Sequence, residues 1–286
     1  MGDIRFIVPF GRQGAADRAA RAFMRSLVEG PRLTIENIPG AGGFAGVERA
    51  NSLAAAGEPV LLLSTPTTHI LLPARRGAHA APSDAFKPVL GLGSAPNVLL
   101  VSAKLGVRSV DQLIARAHAG DLTYASAGAG QTIHLCTALF CAQAGIRMLH
   151  RPYDGGSASA YGDLIAGTVH VYFDNLLGCR ERVERGEALA LAVSSPLRSP
   201  HLPSIPTLVE CGFPGHALDV WMGVFGSKPP AAGRFIIEDA LAKDLGGLGL
   251  EGGPIDADAL AARVQQSRST WTRALDSTGE QSPMRG

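Results

Sequence analysis

The sequence predicts an α/β fold of two lobes, each a mixed or mostly parallel sheet flanked by helices, with two strands crossing between them. Three observations predict it. Short β-like runs alternate with amphipathic helical segments almost from end to end, the pattern of largely parallel sheets. The alternation starts afresh near the middle and returns to the first unit near the end, as when one lobe is inserted into another. The 286 residues, 46% of them apolar, exceed one average domain and suffice for two cores.

The elements follow in order. Residues 4–10 read as a buried strand, and 16–28 as a helix whose Ala16, Ala20, Phe23, Met24 and Leu27 share one face. Residues 33–36 predict a second strand, 47–55 a helix and 60–64 a third strand; 97–102 is the strand that leaves this unit. Ser109 and Gln112 form a capping box ahead of a helix over 110–119. Strands over 122–126, 148–151, 170–174 and 188–194 follow, with helices over 132–144 and 157–166 among them. Thr207 and Glu210 make a second capping box before a short helix. Residues 221–226 cross back, and the remainder is helical, with Leu260, Val264, Trp271 and Leu275 on one stripe. The predicted lobes are residues 1–100 with 226–286, and residues 101–225. Ligands of such folds sit at the carboxyl ends of strands, in the crevice between lobes, and closure about the crossing strands is expected.

Composition narrows the function. Lys plus Arg number 26 against 25 Asp plus Glu, without the basic surplus of a nucleic-acid binder. No stretch has the length of a membrane-spanning helix. Cys136, Cys141, Cys179 and Cys211 lack metal-like spacing; Cys136 and Cys141, five apart on a helix, point in different directions and predict buried free thiols. The eight histidines are scattered, with no pair at i, i+4, and no metal site is expected. The chain enters a strand at its start without a basic and then apolar leader, so either a signal peptide has been removed or the product is cytoplasmic.

Three Gly-rich junctions between strands and helices stand out, over residues 9–17, 36–46 and 124–134. Glycine there allows tight turns and close approach of a ligand to bare N–H groups, and the helix that follows offers a positive dipole end to an anion. Any one of them is also ordinary loop chemistry; three in one two-lobed chain favour ligand binding. The second junction matches a dinucleotide fingerprint, Gly40-x-Gly42-x-x-Ala45, which makes a nicotinamide oxidoreductase the rival reading. Against it, the next strand ends in Ser64-Thr65, where an acid should hold the ribose, and Glu58 lies at the wrong end. Ser126, His134 and Asp174 do not make a triad, because no nucleophile elbow surrounds Ser126; His134 reads as a helix-face residue bonding to backbone. No catalytic constellation and no cofactor are expected.

The ordered motifs resemble the solute receptors of tripartite tricarboxylate transporters, also called Bug receptors. The resemblance is carried by Val8-Pro9-Phe10 with Asp17, by the block from Glu36 through Gly43 with Gly46, and by Tyr124-Ala125-Ser126-Ala127-Gly128-Ala129-Gly130 with His134-Leu135. Pro152-Tyr153-x-Gly155-Gly156, Asp163-Leu164 and Gly167 continue it, as do Leu191-Ala192-Val193, Arg198-Ser199, Leu202-Pro203, Pro206-Thr207 and Glu210-x-Gly212. It covers about residues 4 to 230. Arg12, Gln13, Ala15 and Ala16 stand where the family commonly has Pro, Gly, Gly and Thr, and Asp154 replaces a frequent Lys. The resemblance implies a periplasmic-binding-protein-like fold and a periplasmic, non-catalytic receptor. Such a receptor captures a small carboxylate and, as a monomer, delivers it to membrane transporter subunits.

The candidate site follows. A ligand carboxylate is expected on backbone N–H groups from Gly128 through Gly130 and Gln131 to Thr132, with the Ser126 and Thr132 hydroxyls assisting. Tyr153 joins them from its motif. Phe10, Gly14, Thr68 and His69 are expected to face the cleft from the other lobe; the plainer alternative for Thr68-His69 is a polar loop. Asp174 either accepts a hydrogen bond from the ligand or caps the helix that starts at Leu176. Arg12, with Gln13, either turns inward to a second negative group or stays solvated.

Overall fold

The structure, a computed structural model, describes residues 3–153, 157–218, 220–227, 236–237 and 240–277. In chain order the elements are β1 (Ile4–Val8), α1 (Ala15–Arg25), β2 (Leu27–Glu29), β3 (Leu33–Asn37), α2 (Phe44–Ala55), β4 (Val60–Ser64), a π-helical turn (Thr67–Leu71), α3 (Leu72–Arg76), β5 (Lys87–Ala95) and β6 (Asn97–Ser102). Then come α4 (Val110–His118), β7 (Thr123–Ser126), α5 (Thr132–Ala144), β8 (Leu149–Pro152), α6 (Ser157–Ala166), β9 (Val171–Asn175), α7 (Leu176–Glu184) and β10 (Ala188–Val193). The last are β11 (Val220–Gly226), β12 (Ile236–Ile237), α8 (Ala240–Leu248) and α9 (Ala257–Ser277). The chain divides into two units, one holding Met1–Ser94 and Trp221–Thr272, the other Ala95–Val220 and the end of α9. Both breaks fall a few residues before the boundaries expected from sequence.

The first unit is built on the sheet β3-β1-β4-β11-β5, parallel across β3, β1 and β4, with β11 antiparallel to β4. The all-apolar run of β4 is buried throughout, as a central strand requires. Phe6 of β1 meets Phe23 of α1 edge to face at 5.9 Å. The predicted stripe of α9 is buried at Leu260, Val264, Trp271 and Leu275, and Trp221 Nε1 donates to Ser267 Oγ at 2.8 Å.

Three expectations are corrected here. The first strand stops at Val8, because Pro9 has no N–H to continue a ladder. The first helix ends at Arg25, where Ser26 N–H and Oγ both take the Phe23 carbonyl, and Leu27 passes into a short strand paired with β12. The strand 97–102 does not leave the first unit but lies wholly in the second; β5, a segment to which the sequence assigned no element, is the last strand before the break. Its glycines have a tertiary cause. A Cβ on Gly91 would lie 2.4 Å from Ile255 Cγ1, and one on Gly93 2.7 Å from the Glu251 carbonyl.

The second unit is built on the sheet β10-β6-β9-β7-β8, parallel across β9, β7 and β8 and antiparallel across β10, β6 and β9. Phe140 of α5 packs on Phe173 of β9 and on Phe213. Ser109 caps α4 by accepting from Gln112 N–H, but the Gln112 side chain returns to Arg108 N–H, one residue earlier than a capping box requires. Thr207 and Glu210 do exchange both bonds of such a box, at 2.7 and 3.0 Å, yet close only a turn. All four cysteines are free thiols, Cys136 and Cys179 buried as expected but Cys141 and Cys211 only partly so.

Candidate functional site

In each unit the polar residues gather where the parallel strands end. In the second, β7 ends at Ser126 and β9 at Asp174-Asn175, and Asn97, opening the antiparallel β6, is the register partner of Asn175. The turn from Ser126 to α5 needs glycine, since Gly128 has φ 123° and Gly130 φ 75°. It is clamped from inside. Ser126 Oγ lies 2.7 Å from His150 Nε2 and accepts the Gly128 N–H at 3.1 Å. Gly130 N–H donates to His134 Nδ1 at 3.1 Å, and Gln131 Nε2 to the Ala127 carbonyl at 2.6 Å. The rings of His134 and His150 are 4.3 Å apart, with Tyr124 stacked on His150 at 4.8 Å.

This corrects the expected roles in the turn. Ser126 is fully buried and spends its hydroxyl on the clamp, and the N–H groups of Gly128 and Gly130 are used internally. The turn therefore shapes the start of α5 rather than offering all its donors. At that start Gln131 holds the N-cap position, but its side chain does not cap the helix, and Thr132 follows, 8% exposed. By contrast α4 and α7 are capped by the side chains of Ser109 and Asn175. His134 does bond to backbone, as its sequence position suggested.

Tyr153 donates its hydroxyl to Asp163 Oδ2 at 2.5 Å, and Arg151 lies 3.3 Å from the same oxygen. Burial and the Asp163 carboxylate push the Tyr153 phenol up to about 12, so it stays a donor to Asp163. The neighbouring Asp154, Gly155 and Gly156 lie outside the described residues. Asp174 is 1% exposed and accepts from Tyr161 OH at 2.6 Å and from the Asn175 N–H at 2.8 Å. It is not the cap of α7; that role falls to Asn175, whose Oδ1 accepts from Leu177 N–H.

In the first unit β3 and β4 end at Asn37 and Ser64, and Phe10 lies two residues beyond the end of β1. Gln13 is held in the left-handed region at φ 64°, its N–H bonded to Asp17 Oδ2 at 2.9 Å. Asn37 Nδ2 donates to Asp17 Oδ1 and to the Phe10 carbonyl, tying the first Gly-rich junction to the second. Burial opposes the Asp17 charge, but Arg21, the Gln13 N–H and Asn37 outweigh it and hold the carboxyl below the usual carboxylate range. Phe10 is half-buried, Gly14 takes the N-cap of α1 without a side-chain cap, and Arg12 is exposed with no ion pair among the described residues. Thr68 and His69 are not a loop. They lie in the π-helical turn, where Ser64 Oγ reaches both Thr68 Oγ1 at 3.0 Å and His69 Nδ1 at 3.1 Å.

The fingerprint glycines Gly40 and Gly42 answer to local conformation, with φ 135° and 69°, while their neighbours Gly43 and Gly46 have a packing cause. A Cβ on Gly46 would lie 2.6 Å from Pro9 Cα, and one on Gly43 2.9 Å from Thr68 Cγ2. These glycines admit neighbouring chain. Sequence reasoning did not find Ser64, His150 or Tyr161, whose partners sit on other elements. A polar residue ending an apolar strand was the one available signal, for Ser64.

Comparison with known proteins identifies the family and the fold. Residues 18–239 match the tripartite tricarboxylate transporter family receptor. A UPF0065 protein from the tcbD-tcbE intergenic region of Pseudomonas sp. (strain P51) is 36% identical over 230 residues, 79% of this chain and 68% of that protein. Protein BugT of Bordetella pertussis is 34% identical over 235 residues, 79% of this chain and 70% of that protein. Among solved structures, Rpa4515 of R. palustris with adipate superposes with a TM-score of 0.83 at 28% identity, covering 98% of both chains. The periplasmic binding protein BugD does so with 0.79 at 25% identity, covering 97% of both.

Proposed function

The chain belongs to the tripartite tricarboxylate transporter receptor family, and we propose that its ligand is a small carboxylate received at the start of α5. It is a solute-binding receptor of α/β fold. In our reading it catalyses nothing, needs no cofactor, works in the periplasm as a monomer and passes its ligand to membrane transporter subunits. The observation that carries the ligand assignment is the N-terminus of α5. A 13-residue helix begins there, behind a turn braced by Ser126, His134 and His150, and its N-cap residue leaves the first turn without a side-chain cap. A helix start of this kind presents N–H donors and the positive end of the helix dipole, which suits a carboxylate. Rpa4515 with adipate, a small carboxylate, supports the class. Two other helices start uncapped after Gly-rich turns, α1 at Gly14 and α2 at Gly43.

The test is an amide NMR titration with adipate and other straight-chain carboxylates. The reading expects saturable shifts centred on residues 127–133. Shifts elsewhere that leave those amides unmoved would overturn it.

A further inference from the structure

The protons around Ser64 can be assigned from four contacts. Thr65 N–H donates to Thr68 Oγ1 at 3.1 Å, and Thr68 Oγ1 lies 3.2 Å from the Thr65 carbonyl, which only accepts. The single proton of the Thr68 hydroxyl therefore goes to that carbonyl. The contact between Ser64 Oγ and Thr68 Oγ1, 3.0 Å, is then a hydrogen bond only if Ser64 donates. That spends the one Ser64 proton. The remaining contact, Ser64 Oγ to His69 Nδ1 at 3.1 Å, requires the imidazole to donate through Nδ1–H. No other arrangement satisfies all four, and Ser64 and Thr68 are both fully buried, so leaving one unmade carries the cost of an unpaired buried group.

A neutral imidazole with its proton on Nδ1 has a bare Nε2 that can only accept. The ring stays neutral because burial, with Arg268 adding repulsion, lowers its pKa to about 4. It is fixed in place by Phe225 at 4.5 Å and Trp221 at 6.0 Å, and it is half-buried rather than sealed. Nε2 makes no hydrogen bond among the described residues. Two residues before the turn, Thr65 Oγ1 is buried and likewise without a partner among them. An acceptor held this rigidly rejects a carboxylate oxygen and suits a donor.

We propose that His69 Nε2, at the strand edge of the first unit, recognises a hydrogen-bond donor on the ligand, so that the preferred ligands are hydroxy- or amino-substituted carboxylates. This rests on the receptor reading above. It narrows the ligand class and makes His69 a specificity-determining residue.

Two measurements test it. The first is the ¹⁵N spectrum of the histidine side chains of the ligand-free protein, assigned with His69→Gln. Protonated Nδ1 and bare Nε2 at residue 69 are expected; a protonated Nε2 overturns the proposal. The second compares matched pairs by calorimetry: succinate against malate and against aspartate, and glutarate against 2-hydroxyglutarate. At least one substituted acid should bind about tenfold more tightly than its parent, and His69→Phe should bring that ratio to about one. Unsubstituted acids binding as well in every pair would overturn the inference and leave the receptor reading standing. A chain that binds neither kind of acid contradicts the carboxylate reading and the inference together. If His69→Phe fails to fold, the spectrum and the wild-type pairs decide alone.

Discussion

A Cβ built on Gly46 would lie 2.6 Å from Cα of Pro9 and 2.7 Å from its Cβ. Helix α2 thus rests directly on the backbone that ends β1, and glycine is the one residue that fits. Gly46→Ala is expected to cost about 1–3 kcal/mol, the usual penalty for overfilling a packed site. Urea unfolding checks this through its midpoint. An unchanged midpoint would show that Pro9 yields easily and that the glycine serves something other than packing.

The buried pair Tyr161 and Asp174 should behave as a structural bond. Burial, with Asp174 next, pushes the Tyr161 phenol well above its ordinary value, so it remains a donor. Arg182 lies over the same ring at 4.1 Å. Tyr161→Phe is expected to lower stability by about 1–3 kcal/mol, and a double-mutant cycle with Asp174→Asn to show coupling of about 1 kcal/mol or more. Ligand preference should not change. A switch of preference in Asp174→Asn with stability intact would return Asp174 to the binding site.

Two histidines make stability depend on pH. Burial lowers His69 to about 4 and His216 to about 3, both below the ordinary value of 6.5. The unfolded chain therefore binds more protons than the folded one between those limits, so stability falls as pH drops below about 6.5. Each residue contributes up to about 1.4 kcal/mol per pH unit in its window, fully present only above it. Denaturant titrations at pH 7.5 and 5 check the sign. Equal stability at both would mean that the imidazoles ionise in place. His216→Phe should flatten part of the slope.

Arg12 is exposed at the tip of the first junction, so Arg12→Ala should cost less than about 0.5 kcal/mol of binding for both a monocarboxylate and its dicarboxylate partner. Calorimetry separates the cases. A loss of about 2–5 kcal/mol confined to the dicarboxylate would mean that the side chain turns inward and pairs with the second charge.

What was legible in the sequence follows from how local its causes are. The bounds of β4, α5 and α6 come from runs and turns that the chain carries beside them, and they stand as read. The stripe of α9 is legible because one face alone repeats. β5 was not, since its glycines answer to Ile255 and Glu251 from the far end of the chain. In the candidate site the turns were visible through glycines that φ demands, at 128 and 130. The clamp on them was not, because His150 sits on a separate strand, paired in register with Tyr124 rather than with Ser126. Replacement of Ser126 by Leu places a large side chain where a buried hydroxyl makes two bonds. Such a variant cannot isolate binding from folding.

The central claim is that this chain binds a small carboxylate reversibly and does nothing to it. Calorimetric titration with a series of straight-chain, hydroxy- and amino-substituted carboxylates tests this directly, with the ligand recovered and identified afterwards. The account predicts one molecule bound per chain for at least one acid, returned chemically unchanged, with apparent stability raised by about 2.7 kcal/mol at a hundredfold excess over Kd. No acid bound, or an acid consumed during the titration, would contradict it.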